Sequence, residues 1–237
     1  MRARIHLHAV SCPSPGWAAI TGLAILAMAI LGGFAFASVH STLHVAGDPL
    51  ATESALRANL TLFHATVWAW VIVALLDLLV ALGVYRLFRA LAPQQTLIAA
   101  VLRGGYALVL IVATSRLAKL WIDDGYAAGA LGFSQFEQIW SAGLVLFGAH
   151  LLALARLGWK VAWVARPVAI LLGLGGLGYL VIEGGQSLLG SALTWPQWVS
   201  VGFGIPMVLG ELSFALQLLI SAIGGRPCVR AACGPLA

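Results

Sequence analysis

The chain has 237 residues, 61% of them hydrophobic and 9% charged, against about 25% charged in ordinary soluble domains. So little polar surface excludes a soluble globular fold. The net charge of +5 does not mark a nucleic-acid binder either, because no single element concentrates basic residues beside base-stacking aromatics.

Six apolar stretches follow one another, at 17–38, 60–85, 96–118, 138–155, 167–186 and 198–223. Each is long enough to cross a hydrocarbon core of about 30 Å as a helix. They are rich in Leu, Ala, Val and Gly and lack the two-residue alternation of a membrane β-barrel. The spacing predicts an all-α polytopic membrane bundle of about six transmembrane helices, the fourth being the shortest. Residues 1–16 form a short basic tail, 17–225 the transmembrane domain and 226–237 a second short tail.

In chain order, the tail brings Arg2, Arg4, His6, His8 and Cys12. The first span ends in Ala35-Phe36-Ala37 before Ser38, a pattern shared with signal-peptide cleavage sites. Its length exceeds the usual signal core, and Ala29, Gly33 and Ala37 make a small-residue stripe suited to helix packing. Both features favour a retained span over a cleaved one. His40 and His44 follow four residues apart, a spacing that can hold a metal on a helix given a third ligand such as Asp48 or His64. These are weak metal candidates, and interfacial histidines are common.

The second span carries His64, Trp68, Trp70 and Asp77, the third Arg103 and Arg116, and the fourth His150. In the fifth, Gly173-Leu174-Gly175-Gly176-Leu177-Gly178 matches the dinucleotide fingerprint letter for letter. It lacks the preceding strand and the acidic residue about 20 positions on that the chemistry needs. Close helix packing explains it better. Glu183 follows in the same span, and the sixth holds Pro206, expected to free backbone carbonyls beside Glu211. Trp17, Trp121, Trp140, Trp159, Trp163, Trp195 and Trp198 fall near span ends, whereas Trp68 and Trp70 lie further in and are expected to pack between helices. Cys228 and Cys233 have no second ligand pair for zinc.

The loops set the orientation. Arg2, Arg4, Arg86, Arg89, Arg156, Lys160, Arg166, Arg226 and Arg230 all fall on one side, with no acidic residue. Asp48, Glu53, Asp123, Asp124 and Glu137 fall on the other, with only Arg57 and Lys119. The positive-inside rule then places both termini in the cytoplasm and the protein in the plasma (inner) membrane, its basic loops beside anionic headgroups.

Ionisable residues inside spans carry any chemistry, since a charge at the bilayer centre costs about 2.5–3.5 kcal/mol even on a lenient scale. Asp77 and Arg103 lie roughly 12–14 Å from the same face on consecutive antiparallel helices, and so form the natural pair. Glu211 and His150 come within reach of that level, giving an inner polar layer of Asp77, Arg103, His150 and Glu211. An outer layer is expected from His64, Arg116 and Glu183. Signatures of metalloproteases, serine hydrolases and phosphate-binding loops are missing. No cofactor is indicated, and haem is disfavoured because His64 and His150 sit at opposite ends of the bilayer.

A further set of residues carries a family likeness. Gly47-Asp48, Tyr85-Arg86-Leu87, Arg103, Leu146-Phe147-Gly148-Ala149-His150, Gly176-Leu177-Gly178-Tyr179-Leu180 and Gly210-Glu211-Leu212-Ser213-Phe214-Ala215-Leu216 occur in order from about 17 to 225. In this the chain resembles the bacterial multi-pass membrane family known as domain of unknown function 4386. It departs at Pro167-Val168-Ala169-Ile170-Leu171, where similar chains tend to continue Pro-x-x-Leu-Gly. The resemblance implies an all-helical membrane protein with no established activity, and it adds weight to Arg103, His150 and Glu211.

Three functions fit these residues. One is a small carrier, channel or membrane helper whose inner layer handles protons or a small charged solute. A second is a structural or accessory protein whose charges only fix helix packing. A third, less favoured, is a lipid or quinone enzyme with His150 as base. Oligomeric state is not legible.

Overall fold

The computed structural model describes residues 13–189 and 195–224. The tail residues named above, Cys12, Cys228 and Cys233 among them, lie outside these, as does the Trp198 side chain. Among the described residues the chain is helical, with seven α-helices and no strand. They are α1 (Pro15–Ser38), α2 (Pro49–Ala58), α3 (Leu60–Phe88), α4 (Pro93–Ile122), α5 (Gly129–Trp159), α6 (Arg166–Leu189) and α7 (Gln197–Ile223). Six are long and apolar enough to cross a membrane, and α2 is the exception.

The six long helices form a ring. Each packs on its neighbour in sequence, α1 on α3, α3 on α4, and so on to α6 on α7, and α7 closes back onto α1. The six long helices alternate in direction along the chain, so neighbouring pairs are antiparallel. One end of the ring carries Arg86, Arg89, Lys160 and Arg166, and the other Asp48, Glu53, Asp123 and Glu137. These are called the basic and acidic ends below. Large apolar side chains such as Ile30, Leu75, Val101 and Leu108 face outward around the ring, the pattern of a bundle whose solvent is hydrocarbon.

Glycines set the closest approaches. A methyl group on Gly176 of α6 would stand 2.7 Å from the carbonyl oxygen of Gly148 in α5. One on Gly175 would meet the Pro206 carbonyl of α7 at 2.9 Å. The Gly173–Gly178 pattern is thus a packing surface presented to two helices, with no free helix N-terminus for phosphate.

Three elements depart from expectation. The fourth span is the longest helix, not the shortest, because α5 begins at Gly129. Ser134, Gln135, Glu137 and Gln138 dilute the hydropathy of its first turns. Their other face nevertheless buries Phe133 and Phe136. The loop after α1 holds α2, a helix the apolar count could not register. Asp48 caps it, its Oδ1 accepting from the Ala51 amide at 2.9 Å, with Pro49 in the first turn. Helix α7 runs through Pro206 unbroken. The carbonyl that loses its donor to a proline lies four residues earlier, at Gly202, so it is not beside Glu211.

Candidate functional site

Four helices bring charge to the ring's axis. On α4, Ala99, Arg103, Tyr106, Ala107 and Leu110 are all buried, one stripe at helical spacing that leaves Arg103 nowhere but inward. The same spacing buries Trp70, Val73, Ala74 and Asp77 on α3, and Leu144, Phe147, His150 and Leu151 on α5. Helix α7 supplies Glu211.

Arg103 is the hub. Its Nε and Nη2 both donate to Asp77 Oδ1, at 2.9 and 2.7 Å. Nη1 donates to Glu211 Oε1 at 2.6 Å and faces His150 Nε2 at 3.3 Å. The guanidinium also lies over the Phe147 ring, 5.1 Å from its centroid. Arg103 is 1% exposed and Asp77 2%, while the Glu211 side chain retains 19%. The tautomer of His150 follows from its partners. Nδ1 sits 2.8 Å from the Ala99 carbonyl, which can only accept, so Nδ1 carries the proton. A neutral ring then leaves Nε2 to accept from Arg103. With both nitrogens engaged, His150 has no free basic atom for a reaction.

The charge count is unequal. One guanidinium faces two carboxylates, so the cluster carries a formal charge of −1 when both acids are ionised. Asp77 Oδ2 and Glu211 Oε2 take no hydrogen bond among the described residues.

A cavity of about 400 Å³ extends from this cluster toward the acidic end, and all six long helices line it. Asp77, Arg103 and Glu211 lie at its floor, with Trp70, Tyr106, Trp140, Phe147 and Tyr179 around its wall. Trp140 Nε1 donates to the Tyr106 hydroxyl at 3.2 Å, and Trp140 packs tilted against Trp70 with centroids 5.1 Å apart. Trp140 therefore faces into the ring. Trp68 behaves oppositely. It is 55% exposed, edge-on to Trp121 on the outer surface, because it lies two residues before Trp70 and so on another face of α3. The aromatic wall escaped the charge-centred reading, although Tyr106 stands three residues after Arg103 and Phe147 three before His150.

His64, Arg116 and Glu183 are not linked to one another by any hydrogen bond or ion pair among the described residues. His64 stacks on Trp121 at 4.2 Å, Arg116 is exposed on α4, and Glu183 accepts from the Ser141 hydroxyl at 2.6 Å. His40 and His44 part company as well. The chain passes through a π-helical turn at Val39–Leu43, in which His40 packs tilted against Phe36, and beyond it His44 stacks on Phe133.

The family model described as Domain of unknown function (DUF4386) matches residues 20–222. The chain belongs to this family. The match spans all six long helices, so the polar cluster and the cavity of this DUF4386 protein both lie within the family's extent. No curated protein and no solved structure matches the chain.

Proposed function

We propose that this DUF4386 protein is an integral protein of the bacterial plasma membrane, with both termini cytoplasmic, whose central cavity handles a small charged solute or protons. The observation that carries the reading is the cavity bordering the Asp77–Arg103–Glu211 cluster. A network that only pins helix register packs closed, whereas this one borders open space lined by every long helix. The one-sided distribution of Arg86, Arg89, Lys160 and Arg166 supports the orientation.

The saturation of Arg103 favours a second reading, in which the cluster is interhelical glue in an accessory protein. Liposomes holding a trapped pH-sensitive dye separate the two. With a pH gradient imposed, the wild-type protein should collapse it faster than protein-free liposomes, and Glu211→Gln should slow that collapse at least tenfold. Equal leak through folded wild type and Glu211→Gln would remove the proton route and favour the glue.

A further inference from the structure

The α1–α7 seam changes character along its length. Near the basic end it is tight. A methyl group on Gly22 would lie 2.9 Å from both the Ala215 carbonyl oxygen and Leu219 Cγ. Three turns along α1, methyl groups on Gly32 and Gly33 would meet nothing within 4 Å, and the same holds for Gly202 and Gly204 of α7. The stripe of Ala29, Gly33 and Ala37, expected to pack against another helix, is exposed instead. Ala29 and Gly33 line the cavity together with Val208 of α7, which is 59% exposed. The cavity thus reaches a side opening between two apolar helices, which would face the acyl chains of a surrounding bilayer.

What lies inside that opening selects for charge. The floor carries one more carboxylate than guanidinium, and Arg103 is occupied by Asp77, Glu211, His150 and the Phe147 face. An incoming anion would find its cation already taken. An incoming cation finds the free oxygens of Asp77 and Glu211, and the aromatic rings of Phe36, Trp70, Tyr106, Trp140 and Tyr179. Aromatic faces attract a desolvated cation.

Taking the cavity as a ligand site, as the functional reading above does, we infer that its ligand is a membrane-partitioned organic cation that enters from the lipid between α1 and α7. Its charge rests against Asp77 and Glu211 within the aromatic wall, and its apolar body follows through the seam.

Tetraphenylphosphonium and tetraphenylborate, matched in shape and opposite in charge, test this in nanodiscs of zwitterionic lipid. Binding is read by quenching of tryptophan fluorescence, to which Trp70 and Trp140 contribute. Tetraphenylphosphonium should bind wild type saturably, with affinity at least tenfold weaker in Glu211→Gln, and tetraphenylborate should show no saturable binding. Gly33→Leu places a side chain in the mouth of the seam, where nothing obstructs folding, and should slow association at least fivefold. Saturable binding of tetraphenylborate alone would overturn the cation assignment while leaving a ligand cavity intact. Binding of neither, with saturable binding of tetramethylammonium, would overturn the amphiphile and keep a charged-solute site. Binding of none of the three overturns both. An unchanged association rate in Gly33→Leu overturns the lateral route.

Discussion

The two halves of the helix ring are built on different principles. Toward the basic end, glycines let backbones touch, as Gly22 does against Ala215. Toward the acidic end, glycines such as Gly132 and Gly143 still admit close side chains, but rings fill the inside of the ring: Trp70, Phe136 and Trp140 pack on one another, tilted, with centroids 5.1–5.7 Å apart. Small residues close a seam, whereas large flat ones hold helices apart while satisfying one another. The charge cluster sits where the first regime gives way to the second. A rigid half therefore holds the cluster, and a propped half gives access to it.

The largest expected effect breaks that junction. Arg103→Leu leaves Asp77 and Glu211 in an apolar interior without their counter-charge, at a cost of about 3–5 kcal/mol. Yield and melting temperature in mild detergent should both fall sharply. Combining it with Asp77→Asn and Glu211→Gln removes the stranded charges and should restore most of the loss. A triple variant no more stable than Arg103→Leu alone would show that the arginine acts through packing on Phe147 and not through charge.

The seam gives a paired comparison on a single helix. Gly22→Leu drives a side chain into the Ala215 backbone, which cannot yield, and overpacking of this kind costs about 1–3 kcal/mol. Gly33→Leu makes the same substitution three turns away into open space. It should be neutral or stabilising by up to about 1 kcal/mol, since glycine is the poorer helix former. Thermal unfolding of the two proteins side by side measures the difference between closed and open halves. Equal losses would mean that the two ends of the seam are packed alike.

Much of this architecture is legible in the sequence, and the exceptions share a cause. Hydropathy finds the six long helices because lipid demands long apolar stretches. It misjudges α5, where Ser134 to Gln138 make one face polar while Phe133 and Phe136 stay buried, and it passes over α2, although Asp48-Pro49 is a cap signal. Depth along a helix is readable from the rise per residue, and Asp77 and Arg103, estimated at one level, are hydrogen-bonded. Azimuth is less so. Arg116 shares α4 with Arg103 yet points outward, and Trp68 and Trp70 face opposite ways. The closure of α1 onto α7, and with it the cavity, depends on which of several apolar faces meet. Lipid and leucine are equally apolar partners, so hydropathy cannot choose among them.

The smallest expected effect tests whether the propped half is finished without a ligand. Trp70→Phe removes an indole N–H that has no acceptor among the described residues, and keeps an aromatic ring at the cavity wall. A buried donor without a partner costs about 1–3 kcal/mol. The ring atoms lost with it border space that is already open, so little packing is forfeited. The variant should therefore melt at the wild-type temperature or slightly above it when no cation is present. Tetraphenylphosphonium has no acceptor to offer the N–H, and the phenyl ring of Trp70→Phe keeps the aromatic wall, so saturating cation should raise both melting temperatures by about the same amount. A variant that loses more than about 2 kcal/mol without ligand would mean that the indole nitrogen already has a partner. The aromatic half would then be as complete in itself as the glycine half.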